Sequence, residues 1–106
     1  MEIEIADVVI PLNGRDAGKR FIVIGTEDEY SFLADGKGRR AEKPKRKKNK
    51  HLRPEDKIGR RVAEKLTAGE KVANSEIRRA LAEYGADRGD EQQVAPEKPG
   101  RARGGM

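Results

Sequence analysis

Between Ile3 and Asp35 the chain never stays apolar for more than about four residues before a turn former interrupts it, and this limits the fold more than any other feature. Ile3, Ile5, Val8 and Ile10 come first, then "FIVIG", then "YSFLAD". Such stretches are too short for helices, and their β-branched and aromatic content fits half-buried strands. The turns "LNGRDAGK", "GTEDE" and "DGKG" separate them at the spacing of an all-β domain. Two further short strands are expected in "RRAEK" and "NKHL", with Pro44 between them because proline cannot donate to a central ladder. About five strands in so little chain predict a small β-barrel over residues 1–53.

After Leu52 the apolar period changes. In "RPEDKIGRRVAEKLTAG", Ile58, Val62 and Leu66 recur every four residues, with Pro54, Glu55 and Asp56 placed for a first turn and Gly69 for the stop. "ANSEIRRALAEYGA" predicts a second helix, with Asn74 or Ser75 as N-cap, Ile77, Ala80, Leu81 and Tyr84 on one face, and Gly85 ending it. Two short helices are therefore expected over 54–85, needing a surface to pack on. Residues 86–106 are rich in Gly, Pro, Gln and mixed charge and are expected to be a disordered tail.

Composition argues against catalysis. Charged residues make up 41% of the 106-residue chain and there are two Tyr, two Phe and no Trp; typical globular domains carry about 25% charge. A large pre-formed substrate pocket is not expected. With no cysteine and one histidine, thiol chemistry and Cys- or His-rich metal sites are out of reach, so neither metal nor cofactor is expected. "MEIEIADVVI" is acidic where a secretory signal is basic, and no apolar run is long enough to span a bilayer; the expectation is a soluble, cytoplasmic protein without membrane contact.

Net charge is +5, but the layout matters more than the total. Residues 1–36 carry three basic and eight acidic side chains, whereas 37–53, "KGRRAEKPKRKKNKHLR", carry ten basic and one acidic. Charge that dense between strands is expected to face an anion, and phosphate neutralisation with counterion release makes nucleic acid the expected partner. Gly14-x-x-x-Gly18-Lys19 is not a nucleotide-binding P-loop. It has one residue too few between the glycines, Arg20 where a hydroxyl should hold magnesium, and a strand where a helix should follow. Gly14 and Gly18 are expected instead to shape a hairpin loop.

"DVVIPLNGRDAGKRFIVIG" resembles the KOW motif of RNA-associated SH3-like barrels: a strand, a loop closed by glycine, and a second strand. "GRDAGK", "FLADG", "RRAEKPK" and "NKHLRP" follow in the order found in the fourteen-e class of archaeal and eukaryotic large-subunit ribosomal proteins, and in small bacterial KOW-domain RNA-binding proteins. The resemblance covers roughly residues 3–84. It implies an SH3-like barrel and a non-catalytic, ribosome-associated RNA-binding protein, whose partner would be ribosomal RNA or the large subunit. Transcription-associated factors also carry KOW loops, and the 54–85 helices could serve protein contact; both readings stay open.

The expected RNA contacts are Arg15, Lys19 and Arg20 from the loop, then Arg39, Arg40, Lys43, Lys45, Arg46, Lys47, Lys48, Lys50, His51 and Arg53. With few aromatics to stack bases, contact should be to backbone and shape. Glu27, Asp28 and Glu29 read as a solvated hairpin tip, and Glu2, Glu4 and Asp7 as a face kept off RNA. Arg88-Gly89-Asp90 and the "GRARGG" ending are expected to be chance features of a charged tail.

Overall fold

A computed structural model describes residues 2–89. It contains strands β1 (Asp7–Pro11), β2 (Phe21–Glu27), β3 (Tyr30–Ala34), β4 (Lys45–Lys48) and β5 (Leu52–Lys57), a 3-10 turn (Asn49–His51), and helices α1 (Arg60–Thr67) and α2 (Asn74–Asp87). The strands form one antiparallel sheet in the order β4-β3-β2-β1-β5.

That order forces curvature. β4 and β5 lie at opposite edges, yet only the 3-10 turn joins them. In a flat sheet the two edges would be about 19 Å apart, four spacings of about 4.8 Å. Four Cα steps, from Lys48 to Leu52, reach at most about 15 Å, and a 3-10 turn less. The sheet therefore curls until the ends of β4 and β5 approach. The turn is bonded toward both: Asn49 N–H donates to the Glu29 carbonyl (2.7 Å) beside β3, and Leu12 N–H donates to the His51 carbonyl (2.8 Å) beyond β1.

Both faces of the sheet are covered, which explains why "FIVI" is apolar throughout. Val9, Phe21, Val23, Leu33 and Leu52 form a cluster drawn from strands, enclosed by the curl. Val8, Ile22 and Ala34 point the other way and join Ile58, Val62, Val72, Ile77, Ala80 and Tyr84 beneath the helices. Burying each large aliphatic or aromatic side chain contributes about 1.5–3 kcal/mol. The helices thus share a core with the sheet.

Several sequence expectations need correction. Ile3 and Ile5 precede the first strand, because Ala6 takes a positive φ of 77° and turns the chain into β1. Ala6 is nonetheless bonded both ways, donating to Val23 and accepting from Ile58, each at 2.8 Å. "RRAEK" is not a strand. Asp35 Oδ1 takes the N–H groups of Lys37 and Arg39, and the N–H of Ala41 goes to Asn74 Oδ1, so these donors serve loop contacts instead of a ladder. "NKHL" is the 3-10 turn and the start of β5, and Pro44 lies just ahead of β4.

β5 also takes the residues expected to open the first helix. Pro54 pairs with Val9 on an edge strand, where the missing N–H is tolerated. The sheet therefore runs across position 53 and ends at Lys57. α1 starts after Gly59, and Gly69, at φ 79°, closes it as expected. In α2 the N-cap is Ala73, whose N–H is held by Glu76 (3.0 Å), because the Asn74 side chain is engaged with Ala41 and Glu42. α2 passes through Gly85 to Asp87, so the expected tail loses its first residues to the helix. Arg88 caps that helix and Gly89 follows it at φ 78°, while residues 90–106, with Asp90 and "GRARGG", lie outside the described residues.

Candidate nucleic-acid interface

The loop between β1 and β2 is shaped as its glycines predict, with Gly14 at φ 86° and Gly18 at φ 83°. Its floor is tied to the sheet. Lys47 Nζ donates to the carbonyl of Asn13 (3.3 Å) and to its Oδ1 (3.0 Å), and Asn13 Nδ2 lies 3.2 Å from His51 Nδ1. Arg15 and Lys19 project from the braced loop into solvent.

Arg20 does not join them. Its guanidinium donates to Glu55 Oε1 (2.8 Å) and lies 5.2 Å from the Tyr84 ring centre, while the Tyr84 hydroxyl donates to the same oxygen (3.2 Å). Burial pushes the Glu55 carboxyl up, but bonding and charge from Arg20, aided by Tyr84, outweigh it and hold the carboxyl below the usual range. Burial, with the nearby Glu55 charge, raises Tyr84. Arg20 therefore clamps β5 to α2.

The basic block divides because strand side chains alternate. Lys45 and Lys47 pair with Leu33 and Ser31 and turn toward the β1–β2 loop, lining a small recess with Gly14 and Arg15. Arg46 and Lys48 turn the other way around Tyr30, at 3.6 and 5.9 Å from its ring centre. There they meet the hairpin tip: Arg46 pairs with Glu27 (3.4 Å) and Lys48 with Glu29 (3.9 Å). Arg53 pairs with Glu55 (3.7 Å), and Arg39 bonds Asp16 through Nε and Nη2 (3.1 and 3.0 Å), locking the β3–β4 loop to the β1–β2 loop.

Among the described residues, Arg15, Lys19, Arg40, Lys43, Lys45, Lys47, Lys50 and His51 of the expected contacts hold no ion pair, Lys47 and His51 being hydrogen-bonded to Asn13. Lys37 and Arg78 share that condition, and sequence reading assigned neither a role. Lys37 was within the basic block; Arg78 gave no signal, because its approach to the loops depends on how α2 docks. Glu4 and Asp7 are matched by Lys57 at 3.0 and 2.9 Å, and these hydrogen bonds raise the lysine above its usual value against the lowering effect of burial.

Among the described residues no group of three or more His, Asp or Glu is placed to hold a metal, and no helix is long and apolar enough to cross a membrane. No protein-family model matches the chain, and no curated protein matches it.

Proposed function

We propose that this is a non-catalytic RNA-binding protein, built on an SH3-like KOW barrel and associated with the ribosome, that holds structured RNA by its backbone phosphates. The curled sheet of order β4-β3-β2-β1-β5, with a short 3-10 turn between its edge strands, supports the barrel reading. The RNA reading is carried by one observation: among the described residues Arg15, Lys19, Lys43, Lys45, Lys47 and Lys50 hold no ion pair with a carboxylate, and Arg15, Lys45 and Lys47 line one recess at the loop. Such cations gain from phosphate through counterion release.

Phosphate rather than base recognition fits the aromatics. Phe21 and Tyr84 are buried, Tyr30 is covered by Arg46, and Phe32 is half-buried on β3, so the aromatics offer bases little stacking surface. The ribosomal assignment rests on the KOW resemblance. Partner capture by the helices would have used Ile77, Leu81 and Tyr84; Ile77 and Tyr84 are buried in the core and Leu81 is half-buried, which favours the RNA reading. A transcription-associated role would use the same phosphate surface, and gradient sedimentation with ribosomes or with RNA polymerase separates the two.

Two triple variants test this reading. Replacing Lys43, Lys45 and Lys50 by Ala should weaken binding to a structured RNA by roughly ten- to a hundredfold at 0.1 M salt, since each lost phosphate contact removes nearly one unit of salt slope. Replacing the paired Arg46, Lys48 and Arg53 should cost far less. Equal losses would contradict the reading.

A further inference from the structure

A groove of about 1000 Å³ lies between the β1–β2 loop, the β3–β4 loop and α2. One wall carries Arg15 and Lys19, the loop between β3 and β4 supplies Lys37, and α2 supplies Arg78 and Ala82. We propose that one phosphodiester strand of the bound RNA lies in this groove, making α2 a wall of the nucleic-acid site. The inference rests on the RNA-binding reading and adds a helix that the KOW resemblance does not assign to RNA contact.

Charge within the groove supports it. Of its carboxylates, Asp16 is taken by Arg39, and Asp35 is turned to the N–H groups of Lys37 and Arg39 (2.9 Å each). Arg20 is matched by Glu55. Arg15, Lys19, Lys37 and Arg78 remain without an ion pair among the described residues, on both sides of one channel. With six basic side chains against the two carboxylates, the channel carries net positive charge, and such a cleft concentrates anions.

The walls are also preorganised. Arg78 Nη1 donates to the Gly36 carbonyl (2.6 Å), which holds the guanidinium at the groove and leaves its other donors available. Gly18 and Gly38 line the same channel, and a Cβ at either would meet nothing within 4 Å. A backbone can therefore come close to the protein main chain there.

The test uses the full chain and a fluorescent RNA hairpin with a single-stranded overhang. Ala82→Glu places one negative charge on the exposed helical wall, and Ser75→Glu makes the same charge change on α2 at the cleft toward α1. Ala82→Glu should weaken binding roughly three- to tenfold at low salt, as expected for a charge about 7 Å from phosphate, and Ser75→Glu less than twofold. Lys37→Gln, at an exposed loop position, should reduce the salt slope by about 1. If Ala82→Glu melts early, Lys37→Gln decides. Parent binding with Ala82→Glu no weaker than Ser75→Glu, or with an unchanged slope in Lys37→Gln, overturns the groove and leaves the RNA reading standing. No RNA binding by the parent overturns both, and competition by polyglutamate equal to that by RNA assigns the groove to acidic protein instead.

Discussion

Three glycines separate backbone strain from steric contact and test how α2 is seated. Gly36 has φ 79°, and a Cβ there would lie 2.5 Å from the Asn74 carbonyl oxygen and 2.9 Å from Arg78 Cγ. Gly18 has φ 83° but open space around it, and Gly38 has open space without a positive φ. Alanine at Gly38 should change stability by less than about 0.5 kcal/mol. At Gly18 the left-handed conformation alone costs about 1–2 kcal/mol. At Gly36 the same strain is joined by a clash against helix backbone, which cannot swing aside as a side chain tip can; overpacking of this kind adds about 1–3 kcal/mol. Together these are about 2–5 kcal/mol, and for a domain of this size each kcal/mol is worth about 4–8 °C, so Gly36→Ala should lower Tm by roughly 8–40 °C. Thermal melts followed by circular dichroism read all three. The order Gly38, Gly18, Gly36 is required. A Gly36→Ala protein melting with the Gly18→Ala protein would refute the close contact between α2 and the β3–β4 loop.

The remaining predictions concern the clamp and pH. Glu55→Gln keeps the shape but removes the charge between Arg20 and Tyr84, and should cost about 1–3 kcal/mol in a urea titration; an unchanged midpoint would remove the clamp. The Glu42, Glu55 and Glu76 carboxyls all lie below their usual range, held chiefly by Asn74, by Arg20 against burial, and by Lys65. Their contribution is present above the unfolded value of about 4.3 and is lost as pH falls through the folded values, so melting temperature should hold from pH 7 to about 5 and drop below about 4. Tyr84 and Lys57 are both raised, so their contribution is present at neutral pH and declines as pH climbs past about 10. A melting temperature flat from pH 3 to 11 would contradict both arms.

What could be read from the sequence follows how each residue is satisfied. β2 and β3 were legible because strands covered on both faces read as short β-branched and aromatic runs. "LRPEDK" was not: β5 buries Leu52 but is otherwise polar, so on an edge its period of two is hidden and its proline and acids imitate a helix start. The β1–β2 loop was legible from its glycines, yet the inward turn of Arg20 depends on Glu55, thirty-five residues later. Likewise the sum of charge over 37–53 was plain, whereas its division was not. Glu27 and Glu29 reach Arg46 and Lys48 only once β3 and β4 pair.

The central claim is that the unpaired cations are there for phosphate, and the salt dependence of RNA binding by the unmodified protein tests it most directly. With four to six of these cations contacting phosphate, log affinity should fall against log salt with a slope of about −3 to −5, a loss of roughly 60- to 1000-fold between 50 and 200 mM. No binding at 50 mM salt, or an affinity that salt does not change, would contradict the account.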